Sequence, residues 1–146
     1  MTRSTIERIA DVLTAIERCQ RYAASLESSD DNLAEMAADA VERNLQIIGE
    51  AVAQLPQAVT DADPEIEWPA IRGMRNILVH QYFGVDPAIV RDVITNHLGP
   101  LAVALSRHQA ELTDAANRPT GRPAADLRST KRTRPQNETS SDWHLA

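Results

Sequence analysis

Apolar residues recur at three- and four-residue spacing through four long stretches of the chain, the period of helices with one buried face. The first covers about Ser4 to Leu26, with Ile6, Ile9, Val12, Leu13, Ile16, Ala23 and Leu26 in register. Ser4 followed by Glu7 has the form of a capping box at its start. A polar break, ESSDD, separates it from a second helix over about Asp31 to Leu55. The apolar face of that helix is expected to hold Leu33, Met36, Ala37, Ala40, Val41, Leu45, Ile48, Val52 and Leu55, with Pro56 as its stop. A loop containing TDADPEIEWP follows, and a third helix is expected from about Pro69 to Tyr82, broken by Gly84. Asp86 and Pro87 supply a cap and a first-turn proline for a fourth, from Pro87 to about Leu112, which Pro100 should kink.

This pattern predicts an all-α fold, an antiparallel bundle of four to five helices built from residues 1–112. Residues 113–146 are rich in Pro, Thr, Ser and Arg and almost lack aliphatics, so a disordered tail is expected there. The scarcity of aromatics, two Trp, two Tyr and one Phe, suits helix packing better than a β-sandwich. With Cys19 as the sole cysteine, no intrachain disulfide and no cysteine-based zinc site can form, and a cytoplasmic setting is expected. No stretch approaches the roughly 18 apolar residues of a membrane span, so a soluble protein is expected.

Charge divides the chain. Residues 1–112 carry nine arginines and no lysine against seventeen acids, a net of −8; residues 113–146 carry six basic residues against four acids, a net of +2. An acidic body argues against a broad nonspecific nucleic-acid coat but leaves room for a small basic site.

One stretch breaks the apolar run with chemistry. RNILVHQY, Arg75 to Tyr82, sets Arg, Asn, His and Tyr around Ile77, Leu78 and Val79. Histidine moves protons near neutral pH, and the guanidinium fork of arginine matches phosphate oxygens. RNA carries its own nucleophile in the 2′-hydroxyl, so an Arg–His pair suffices in principle to cleave it without a metal. On an ideal helix Arg75 and His80 lie about 140° apart. A common target then requires Arg75 to reach around, the helix to loosen near Gly84, or a second copy of the chain to complete the site. The plain alternative is a surface network or dimer salt bridge with no catalytic role.

RNILVHQY, with AVERNLQIIGEAVAQLP on the second helix and WPAIRGMRNILVHQYFGVD around the third, resembles the HEPN (higher eukaryotes and prokaryotes nucleotide-binding) superfamily. Within it, the HepT-like toxins match both blocks in order and spacing, and the resemblance covers about residues 1–112. It implies an all-helical homodimer acting as a metal-independent ribonuclease, the toxin of a type VII toxin–antitoxin system, needing no cofactor. Arg75 and His80 would be the catalytic pair and Asn76 a supporting residue. It further implies a nucleotidyltransferase antitoxin of the MntA type that transfers AMP to Tyr82 and silences the nuclease. Arg43, Asn44 and Glu50 on the second helix, and Arg72 ahead of the motif, are further supporting candidates. The RNA could be transfer or messenger RNA. A non-catalytic helical partner subunit that presents substrate to a nucleotidyltransferase is the alternative. His97 and His108 read as ordinary helix-face residues.

Overall fold

The computed structural model describes residues 2–74 and 86–121. Among them the structure is all-α, with no strand. Helix α1 runs Thr5–Ala23 and starts as its sequence requires: the Ser4 hydroxyl accepts from the Glu7 backbone N–H at 3.2 Å, and the Glu7 carboxylate accepts from the Ser4 N–H at 2.7 Å. The Ser4 N–H, and after it the Ser4 side chain, hold the Glu7 carboxyl below its ordinary pKa. Helix α2, Asp31–Ala53, is capped by the Asp30 carboxylate on the Leu33 N–H. The two helices run antiparallel, since Cys19 sits against Val41 and Arg8 shares a groove with Gln54.

Their interface is the heart of the core. Ile9, Val12, Ile16 and Cys19 from α1 meet Val41, Leu45, Ile48 and Val52 from α2, all essentially inaccessible. Each such aliphatic contributes about 1.5–3 kcal/mol by leaving water. The face expected for α2 is correct from Ala37 onward but not at its start: Leu33 and Met36 are 44% and 67% exposed. Met36 lies about 140° around the helix from Val41, so it cannot share the stripe that meets α1.

Pro56 ends α2 as expected, but the segment after it is not all loop. A short helix, α3, spans Gln57–Asp61, and it buries Val59 and Thr60. Helix α4, Trp68–Arg72, begins where Pro69 predicts; Ile71 within it and Met74 just beyond it anchor the chain in the core. The expected continuous third helix is interrupted: α4 stops at Arg72 with Gly73 as its C-cap, and 75–82 lie outside the described residues. Helix α5, Pro87–Val93, is capped by Asp86 on the Ala88 N–H at 2.9 Å.

The disturbance expected at Pro100 takes a definite form. Residues Ile94–Leu98 adopt a π-helical turn, and the Gly99 N–H bonds five residues back to the Ile94 carbonyl. Proline has no N–H to offer the carbonyl four residues earlier, and its ring crowds that carbonyl, so the wider turn relieves both problems. Helix α6 then runs Gly99–Asn117, burying Leu101, Ala104, Leu105 and His108. It continues a few exposed residues past Leu112, where the apolar period stops. The disordered tail expected from residue 113 does not start there, since 113–117 are helical, and residues 122–146 lie outside the described residues. No described helix is long and apolar enough to cross a membrane.

Cys19 shows how dry the α1–α2 seam is. Its thiol is fully buried, and burial pushes its pKa up to about 12. At about pH 8 almost no thiolate exists to react. The folded protein should therefore resist a thiol-specific disulfide reagent and titrate one thiol only after unfolding in guanidinium. Rapid labelling of the native protein, read by absorbance, would show that the seam opens readily.

Candidate functional site

Arg75, Asn76, His80 and Tyr82 lie outside the described residues, so the structure places their approach. Residues 71–74 descend from α4 with Ile71 and Met74 buried at 1% and 3% exposure. Arg72, between them in sequence, points out. Three residues of chain span at most about 11 Å, which bounds how far Arg75 can stand from Arg72.

Arg72 lines an open cavity of about 630 Å³ with Leu55, Gln57, Thr60, Asp61, Pro64, Trp68 and Pro69. Its floor is apolar because Leu55 and Trp68 belong to the core. The Trp68 ring is fixed by its indole N–H, which donates to the Asp63 carbonyl at 3.0 Å.

The other supporting candidates are on the α1 side. Asn44 is 5% exposed; its amide donates to the Ala40 carbonyl at 2.7 Å, while its Oδ1 is buried without a hydrogen-bond partner among the described residues. It borders a recess of about 440 Å³ with Arg3, Asp11, Thr14, Ala15, Arg18 and Ile47. Glu50 lines an adjoining recess with Arg8, Asp11 and Gln54. Along the outside of α2, Arg43 donates to Gln46 at 3.5 Å and Gln46 to Glu50 at 3.2 Å, a polar ladder at helical spacing. The structure thus groups Asn44 and Glu50 along the α1–α2 groove and sets Arg72 in a separate cavity at the α3–α4 junction.

The polar centre that sequence reasoning missed holds the cavity's frame. Asp63 is 2% exposed; its carboxylate accepts from the Arg107 guanidinium through Oδ1 and bonds His108 Nε2 at 2.7 Å through Oδ2. Burial alone would raise the Asp63 pKa, but the hydrogen bonds from Arg107 and His108 outweigh it and hold the carboxyl below its ordinary value. His108 is no ordinary helix-face residue. It continues the buried stripe Leu101, Leu105, His108 at helical spacing, and that periodicity was its available signal. His97 is half-buried at the edge of a recess and pairs through Nδ1 with the exposed Glu67 at 3.3 Å. Among the described residues no group of three or more His, Cys, Asp or Glu could hold a metal ion.

Fold and recesses together define a small all-α protein in which Arg72 edges the α3–α4 cavity and Arg3, Arg8 and Arg18 edge the recesses along α1 and α2. The profile of a family described as Ribonuclease HepT-like matches residues 12–107, and the chain belongs to that family. It is 34% identical over 90 residues to a probable ribonuclease HepT of Thermococcus cleftensis, covering 62% of this chain and 82% of that protein. It is 30% identical over 106 residues to a gamma-glutamylcyclotransferase and putative RNase of Methanocaldococcus jannaschii, covering 73% of this chain and 48% of the relative. A third relative, named a putative RNase, from Caldanaerobacter subterraneus subsp. tengcongensis, is 41% identical over 59 residues, which are 40% of this chain and 53% of the relative. The chain therefore spans about half the length of several curated relatives it matches. No solved structure matches it.

Proposed function

We propose that this chain is a metal-independent endoribonuclease of toxin type, with Arg75 and His80 as its catalytic pair. The observation that carries the reading is the Arg-x4-His-x-Tyr sequence inside the family match, next in sequence after the buried Met74. In the reaction the RNA 2′-hydroxyl loses its proton and its oxygen bonds to the adjacent phosphorus. The bond to the 5′-oxygen breaks, and that oxygen gains a proton. The products are a 2′,3′-cyclic phosphate and a 5′-hydroxyl. His80 serves the proton transfers, Arg75 stabilises charge on the phosphoryl oxygens, and Asn76 orients the pair.

A homodimer completes the centre in this reading. Support comes from α2, which leaves Leu33 and Met36 exposed on the side that also carries Arg43. An apolar strip with an arginine beside it suits a two-fold contact. A partner nucleotidyltransferase of the MntA type silences the enzyme by forming a bond from the Tyr82 phenolic oxygen to the α-phosphorus of ATP, releasing pyrophosphate. The attached AMP adds negative charge and bulk where an RNA phosphate must sit.

The test is incubation of the purified chain with transfer and messenger RNA in EDTA, with end analysis by mass spectrometry. Cyclic phosphate ends are expected, and intact RNA under all conditions would overturn the reading. Co-expression with the antitoxin is expected to yield AMP on Tyr82. Neutralisation with Tyr82 unmodified would instead mean inhibition by binding.

A further inference from the structure

We propose that the α3–α4 cavity is a nucleobase subsite that prefers guanine and holds the nucleotide next to the scissile phosphate. The proposal rests on the ribonuclease reading and adds to it a substrate preference.

Three observations carry it. The cavity, about 630 Å³, falls in the usual range for small-ligand sites of about 300–1,000 Å³, and its wall joins apolar Leu55, Pro64, Trp68 and Pro69 to a few polar groups. Two of those groups are charged and oppositely so: Asp61 and Arg72 line the same space, yet neither makes an ion pair or side-chain hydrogen bond among the described residues. Elsewhere Arg3 is held by Asp11, Arg91 by Glu27 and Arg107 by Asp63. The third observation is position, because Arg72 is three residues before Arg75 and so within about 11 Å along the chain.

The charges indicate the ligand. A carboxylate only accepts hydrogen bonds, two side by side. Among the four RNA bases, guanine alone offers two adjacent donors, N1–H and the 2-amino group. Adenine and cytosine each place a ring acceptor beside their amino group, and uracil flanks its one N–H with two carbonyl oxygens. Single-stranded RNA exposes these edges. Arg72 then takes the phosphate of the same nucleotide. The Thr60 hydroxyl donates its hydrogen to the Gln57 carbonyl at 3.1 Å, so toward a bound base it can only accept and does not favour a base that presents acceptors.

Two measurements test this. Ends generated from a single-stranded RNA of mixed sequence should show guanosine beside the cut, favoured on the order of tenfold as expected for one two-point base contact. Asp61→Asn should flatten that ratio. Separately, His80→Ala protein in a Trp143→Phe background reports binding through Trp68 fluorescence. Guanosine 5′-monophosphate should bind on the order of tenfold tighter than uridine 5′-monophosphate, and Asp61→Asn should bring the two together. Equal binding of both nucleotides, or a preference untouched by Asp61→Asn, would overturn the subsite even if RNA is cut. A guanine preference without any RNA cleavage would sustain the subsite and remove the nuclease reading. Circular dichroism checks that the variants fold, which the exposed position of Asp61 favours.

Discussion

Replacing His80 with alanine is expected to lower RNA cleavage by about 10²–10⁴-fold, the usual worth of a positioned acid or base. Arg75→Ala should cost a similar factor, about 10²–10³, because the charge it meets develops in the transition state and not in bound substrate. Each loss should therefore appear in kcat more than in KM. Arg75→Lys keeps the charge but not the two-pronged donor, so it should recover only part of the rate. If the centre takes its arginine from one chain and its histidine from the other, mixing the two inactive variants restores one intact centre in each mixed dimer. Random exchange then returns roughly a quarter of the parental activity. Mixed proteins that stay inactive after demonstrated exchange would place both groups in one chain. Growth arrest on induction gives the same ranking in cells, and a His80→Ala protein as toxic as its parent would end the catalytic assignment.

Periodicity carried most of this fold because helices that share one seam repeat their apolar residues. The Ser4–Glu7 box, the stop at Pro56 and the start near Pro69 are local chemistry, and the structure has each of them. Pro100 was readable as a disturbance, but its π-helical form depends on the helix continuing on both sides to keep Leu98 and Leu101 buried. Helix α3 escaped notice because five residues are too short to show a period. Leu33 and Met36 fit a helical apolar spacing but stay exposed, because spacing does not reveal how far a partner helix reaches and Met36 lies off the Val41 stripe. Asp63 was the hardest to read. Its partners lie 44 and 45 residues away, and no local rule links a loop aspartate to Arg107 and His108. For the candidate site, motif and family gave residue identities, while the geometry added only where Arg72, Asn44 and Glu50 stand.

Asp63 is also where a single substitution should damage the fold most clearly without touching the motif. Asp63→Ala removes the acceptor for His108 Nε2, leaving an imidazole only 9% exposed with an unanswered polar atom, and it releases the loop before α4 from α6. Breaking a buried charged pair costs about 3–5 kcal/mol. The value here should lie near the lower end, about 3 kcal/mol, because the Arg107 side chain is 51% exposed and water can solvate it once freed. In a domain of this size that corresponds to a fall in Tm of roughly 10 °C. Arg107→Ala should cost less, because its half-exposed guanidinium is screened by water. The depressed pKa of Asp63 fixes the sign of the acid response. Its contribution is complete above the unfolded carboxylate pKa of about 3.9 and is lost as pH falls through the lower native value. The parent should thus lose stability in acid more steeply than Asp63→Ala, the two converging at low pH. Urea titrations at a series of pH values give both quantities, and parallel curves would show that Asp63 is not the group responsible. Because the Asp63 carbonyl also receives the Trp68 indole, the backbone there should stay in place in the variant. Any loss of cleavage in Asp63→Ala should consequently follow the unfolded fraction, unlike the loss in His80→Ala, which occurs in folded protein.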